Sequence, residues 1–196
     1  EEIISPTFEE FNSEIVPGGT VEAYMLRPDT LNPILTTIDV NKKMLNLCYD
    51  SLFYTDSRYN CVPFLAESYE YSSSGRKLTI TLREGIKWHD GSDFTAGDVK
   101  YTINSILQNE DSPYNAFMTE LIGGIKQNGE NRITLTFNYS DSGAHNLLTF
   151  PIIKNGSVKE GSYTPVGTGA FIFNEIEKQE NYLLKKNENW AMGNIY

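Results

Sequence analysis

Between Thr79 and Val99 the chain reads T-I-T-L-R-E-G-I-K-W-H-D-G-S-D-F-T-A-G-D-V, and this run leaves little choice of local structure. Thr79, Ile80, Thr81 and Leu82 alternate polar and apolar, the period of a strand with one buried face. Arg83-Glu84-Gly85 interrupts the strand, and Ile86 and Trp88 resume the alternation. Asp90-Gly91 marks a tight turn, because glycine reaches positive φ without a Cβ clash. Thr95 and Asp98 form a capping box in its T-x-x-D form, opening a helix that holds Val99, Ile103, Ile106 and Leu107. A strand, two turns and a helix start thus follow one another without a spare residue.

The rest of the chain is read the same way. Residues 1–19 are Glu-rich, end in Pro17-Gly18-Gly19 and read as a partly mobile leader. Val21–Leu26 reads as a strand, broken by Arg27-Pro28-Asp29 and then Asn32-Pro33. From Asp39 to Leu52, Met44, Leu45, Leu47, Cys48 and Leu52 recur at helical spacing. Tyr69–Tyr71 and residues 77–82 predict a hairpin around a Ser-Gly turn, and 96–108 a helix, with a shorter one starting at Ser112-Pro113-Tyr114. Ile122–Lys126 and Arg132–Asn138 flank Asn128-Gly129, a second hairpin. Ser142 is expected to cap a short helix through Leu148. Strands are expected around Phe171–Glu175 and Tyr182–Lys186.

At 196 residues, one or two domains with a real core are available. A net charge of −10 with no basic stripe excludes nucleic acid as a partner. No apolar run is long enough to cross a bilayer. Two cysteines, Cys48 and Cys61, are too few for a disulfide framework. Cys48 reads as a small core residue, and a bond to Cys61 in an oxidising exterior stays open as the alternative.

The residue types that carry chemistry have structural readings. Asp90 makes a turn, Asp98 completes a cap and Asp93 is solvated, so the three carboxylates do not read as a catalytic cluster. His89 and His145 are far apart and without Cys/His spacing, so no metal site is expected. Gly167-Thr168-Gly169 lacks a third glycine and runs into a strand, so it reads as a tight backbone turn rather than a phosphate cradle. No G-x-S-x-G elbow occurs. Asn138-Tyr139-Ser140 and Asn155-Gly156-Ser157 match the glycosylation sequon as chance matches or turns. With 12 Tyr and 10 Phe, some aromatic side chains could face a cleft and stack on a solute.

The run from Leu82 to Val99 contains L-R-x-G-x-K-W-x-D-G followed by F-T-A-x-D-V, and resembles the family 5 extracellular solute-binding proteins of ABC importers. Tyr49-Asp50-Ser51-Leu52 resembles that family's Y-E-G-L. Pro63-x-Leu65-Ala66-Glu67-Ser68 matches its P-x-L-A-E-S, Gly167-Thr168-Gly169-Ala170-Phe171 its G-T-G-P-Y/F, and Asn187-x-x-Trp190 its N-x-x-Y/W. Phe150-Pro151-Ile152-Ile153 resembles the family's strand that brings the chain back toward the base, so a strand is expected there. Asn32 stands where the family's x-L-D-P turn has Asp, and Ala170 where it has proline.

The resemblance implies an α+β fold, the mixed-sheet N-terminal lobe of a two-lobed periplasmic-binding-protein type II-like fold. Residues 20–38 and 165–196 would be portions of a base subdomain, and 39–164 a smaller inserted subdomain, with the second lobe absent. It implies capture of extracellular peptides, or a related small solute, by hinged closure, and delivery to membrane permease subunits. No catalysis, metal or cofactor and no nucleic acid partner are expected, and the receptor is expected to be a monomer. A secretory signal, often with a lipid-anchored cysteine, is expected ahead of a start such as Glu1-Glu2-Ile3, placing the protein outside the membrane or in the periplasm. The ligand-bordering segments carry over to Arg27, Pro28, Asp29, Thr168 and Gly169. Arg27 and Asp29 could meet peptide termini, or simply form a solvated pair. An extracellular hydrolase domain and the ligand-sensing domain of a regulator are the alternatives.

Overall fold

A computed structural model describes residues 28–158, 163, 165–175 and 182–193. The leader, the expected strand Val21–Leu26 and Arg27 lie outside the described residues. In chain order the elements are α1 (Asp39–Leu45), β1 (Phe53–Thr55), β2 (Cys61–Pro63), β3 (Ala66–Tyr71) and β4 (Lys77–Leu82). Then come α2 (Ala96–Leu107), α3 (Asn115–Leu121), β5 (Ile122–Gln127), β6 (Arg132–Phe137), a 3-10 turn at Ala144–Leu147, β7 (Phe171–Glu175) and β8 (Tyr182–Lys186).

The centre is an antiparallel sheet in the order β3-β4-β6-β5. Its register aligns Leu78 with Leu135 and Ile80 with Ile133, so one face carries aliphatic side chains, all fully buried. The other face carries Thr79 and Thr134, whose hydroxyls lie 3.1 Å apart. The alternation read from the sequence therefore sets which face is covered, because a one-residue slip would turn every Leu and Ile outward. Helices α2 and α3 cover the apolar face, α2 through Val99, Ile103 and Ile106.

The capping box of α2 is closed: Thr95 Oγ1 accepts from Gly97 N–H at 3.2 Å, and Asp98 Oδ2 accepts from Thr95 N–H at 2.8 Å. The other Asp98 oxygen accepts from Asn155 N–H at 2.8 Å, so this buried carboxylate also ties down the 153–155 segment. Thr102 acts beside it, accepting from Ile153 N–H at 3.0 Å.

Three local expectations are corrected. The first helix stops at Leu45 instead of reaching Leu52. The carbonyls of Leu47 and Cys48, needed to accept within a longer helix, accept from Phe171 and Gly169 N–H, both at 2.9 Å. Helical spacing in the sequence is overruled by that tertiary pairing. Ser142 caps nothing: Gly143 precedes the 3-10 turn, and the carboxylate of Asp141 accepts its N–H at 2.7 Å. Phe150–Ile153 forms no strand, only a single bridge of Pro151 to Ser51. Its other amides go elsewhere, Ile152 N–H to the Asp50 carbonyl and Ile153 N–H to the Thr102 hydroxyl. The short β1–β2 hairpin, with Tyr54 opposite Val62, was not foreseen.

Cys48 and Cys61 are both free, Cys48 buried and Cys61 half-buried. Among the described residues no helix is long and apolar enough to cross a membrane.

Candidate functional site

Four of the sequence motifs meet at one place, around Gly167-Thr168-Gly169. On one side the turn lies against residues 47–50 so closely that a Cβ on Gly167 would sit 1.7 Å from the Cys48 carbonyl oxygen. A Cβ on Gly169 would sit 2.5 Å from the Cys48 carbonyl carbon. Only glycine permits this approach of two backbones.

His89 stands against the same turn, its Cε1 3.3 Å from where a Cβ on Gly167 would sit. Its N–H donates to the Gly167 carbonyl at 2.8 Å, Gly167 N–H donates to Nδ1 at 3.2 Å, and Nε2–H donates to the Gly169 carbonyl at 3.0 Å. The Gly167 and Gly169 amides are thus committed to an imidazole nitrogen and to the Cys48 carbonyl. Asn187 adds a donor to the Gly169 carbonyl at 3.0 Å, and its own N–H reaches the Ala170 carbonyl at 2.8 Å, joining the start of β7 to the end of β8.

Below the turn lies Asp50, 7% exposed. Its Oδ2 accepts from the Thr168 hydroxyl at 2.9 Å and from the Trp190 indole N–H at 3.3 Å. Burial pushes the Asp50 carboxyl up to about 6, and the two donors only partly offset that. Burial also lowers His89 below its ordinary 6.5, against the opposing pull of the Gly169 carbonyl and Asp90.

The remaining expected site residues occupy a separate turn. Pro28 is half-buried and Asp29 exposed. Burial would raise the Asp29 carboxyl, but Thr36, Thr37, Asn41 and Thr30 all donate to it and hold it well below the usual carboxylate range. These bonds stay within residues 29–41, and no described hydrogen bond joins this turn to Thr168 or Gly169. Arg27 lies outside the described residues.

The other singled-out groups are dispersed. Asp90 accepts from Ser92 N–H at 3.1 Å and pairs with Lys154, while Asp93 pairs with Lys87. His145 lies against Tyr69, ring centres 4.7 Å apart, with Tyr71 Oη 3.0 Å from Nδ1. Among the described residues, no three His, Cys, Asp or Glu side chains are grouped to hold a metal. An open depression of about 540 Å³ is lined by Glu67, Arg83, Glu84, Ile86 and Ala191, none of them a residue of the turn.

The family described as "Bacterial extracellular solute-binding proteins, family 5 Middle" matches residues 60–195. This chain belongs to that family. Among family 5 relatives, it is 24% identical over 192 residues to the oligopeptide-binding protein AppA of Bacillus subtilis strain 168, covering 91% of this chain and 35% of AppA. It is 29% identical over 166 residues to the glutathione-binding protein GsiB of Escherichia coli K12, covering 80% of this chain and 32% of GsiB. The crystal structure of NikA from Brucella suis in complex with Fe(III)-EDTA superposes with a TM-score of 0.76 at 24% identity, over 86% of this chain and 36% of NikA. The chain spans about a third of the length of the curated relatives it matches. The fold is the α+β architecture of one lobe of a type II periplasmic-binding-protein fold.

Asp50, His89, Asn187 and Trp190 are the residues that sequence reasoning did not assign to this place. Asp50, Asn187 and Trp190 stand inside the quoted motifs, and that was the available signal. Nothing in the sequence pointed from His89 to Gly167, 78 residues away.

Proposed function

We propose that this chain is part of the substrate-binding receptor of an ABC importer, one that captures extracellular peptides and hands them to membrane permease subunits. The observation that carries this reading is the family 5 match over residues 60–195. The names of AppA and GsiB, which refer to oligopeptides and glutathione, favour a peptide over a sugar or a metal chelate. The receptor acts as a monomer without catalysis or cofactor, on the outer face of the membrane or in the periplasm, held there by a lipid anchor or left free.

In this reading, residues 20–38 and 165–196 belong to the base subdomain, and 39–164 form the smaller inserted subdomain. Arg27, Pro28, Asp29, Thr168 and Gly169 border the cleft. The rigid seating of the G-T-G turn on Asp50, His89 and Asn187 would set its position before a ligand arrives, which lowers the ordering cost of binding. A second lobe closes over the solute, and closure is driven by contacts that exist only when both lobes touch it. Main-chain hydrogen bonds would supply affinity, and hydrated side-chain pockets would keep selectivity low.

Residues 1–196 alone are therefore expected to bind peptides weakly. Titration calorimetry with a dipeptide and a nonapeptide should give dissociation constants no tighter than about 1 mM. Micromolar affinity for this chain by itself would overturn the two-sided clamp.

A further inference from the structure

Both ring nitrogens of His89 face backbone groups of the same turn, and in opposite senses. Gly167 N–H donates to Nδ1, while Nε2–H donates to the Gly169 carbonyl. Nδ1 therefore carries a lone pair, and a proton placed there would point at the Gly167 N–H. We propose that His89 is an acid-sensitive latch. Its neutral ring bridges Gly167 and Gly169, and protonation at Nδ1 expels the Gly167 N–H and loosens the turn, with β7–β8 behind it, from residues 47–50 and 87–94. The latch works whatever solute the protein carries.

The groups around the turn narrow what can titrate. Asp90, next to the ring, pairs with Lys154, which with Ser92 holds it at about 2 and hence ionised. From the 48–50 segment come Cys48, Tyr49 and Asp50, and Tyr163 lies 2.7 Å from Tyr49, hydroxyl to hydroxyl. Burial raises the thiol of Cys48 to about 12 and raises both tyrosines, so these three stay neutral. On the β8 side Lys186 pairs with Glu188 at 3.5 Å. Among the described residues around the turn, His89 and Asp50 remain to change charge near neutrality.

Their effects on stability have opposite signs. His89 is lowered in the fold, so its contribution is complete above 6.5 and is lost as pH falls through its folded pKa. Asp50 is raised, so its contribution is complete below 3.8 and is lost as pH rises through about 6. The two partly cancel in any global unfolding curve, so the latch must be read locally.

The test is amide exchange at Gly167 and Gly169 in the isotope-labelled chain between about pH 7.5 and about pH 5, corrected for intrinsic exchange, with the His89 ring nitrogens followed in the same sample. Protection of Gly167 should fall about tenfold or more, with a midpoint matching the ring titration. His89→Gln, which cannot titrate, should lose the step, and Asp50→Asn should keep it. Protection that ignores pH would overturn the latch. So would a proton on Nδ1 at about pH 7.5, a step that survives in His89→Gln, or a step that vanishes in Asp50→Asn. If His89→Gln does not fold, the wild-type ring titration against the Gly167 step still decides.

Discussion

Gly167→Ala is expected to lower the unfolding free energy by about 3 kcal/mol, the upper part of the range for forcing an atom into a packed interior. The added Cβ would sit 1.7 Å from the Cys48 carbonyl oxygen, and backbone cannot swing aside as a side-chain tip can. Relief requires the turn to lift off residues 47–50. That movement breaks the bond from Gly169 N–H to the Cys48 carbonyl and draws Gly167 N–H away from His89. Gly124→Ala is the matched control, since its Cβ would meet only the Thr136 Cβ, at 3.8 Å. It should change stability by no more than about 0.5 kcal/mol. Urea denaturation of both variants measures the difference, and equal costs would show that the close approach at Gly167 is not tight.

Trp88→Ala is expected to cost about 3–5 kcal/mol, while Trp88→Phe should cost distinctly less. The indole is 2% exposed and packs edge-on against Phe94 with ring centres 5.8 Å apart, so truncation to alanine leaves a large cavity. Its N–H is buried and finds no acceptor among the described residues. Phenylalanine removes that unsatisfied donor together with part of the ring, so loss of packing is offset by relief of a desolvated polar group. Urea midpoints followed by circular dichroism compare the two variants. A phenylalanine variant as damaged as the alanine one would mean that the indole N–H has a partner after all.

The parts of the fold legible from the sequence were those whose causes lie close along the chain. The alternation of Thr79, Ile80, Thr81 and Leu82, the Thr95–Asp98 box and the Asn128-Gly129 hairpin each act within a few residues, and β4, α2 and the β5–β6 pair follow them closely. The first helix was read too long because Leu47 and Cys48 have helical spacing, while their carbonyls are claimed by Phe171 and Gly169. No local signal carries that claim. The β1–β2 pair was missed because strands of three residues are too short to show a period.

The same distinction applies to the candidate site. Gly167-Thr168-Gly169 was legible as a backbone turn, and the structure adds why both glycines are needed there. The grip on it was hidden, since Asp50 reaches Thr168 across 118 residues and Trp190 across 140. His89 looked isolated for the same reason. A histidine without neighbouring ligands in sequence is here fully engaged with backbone in space.

The receptor reading is tested most directly by native mass spectrometry of the protein purified from its own host, followed by denaturation to release whatever it carries. Release of short peptides, one per protein, is the expected result. A sugar or a metal chelate in their place would contradict the peptide assignment, and a protein that emerges empty and cleaves peptides or glycans instead of retaining them would contradict the receptor function itself.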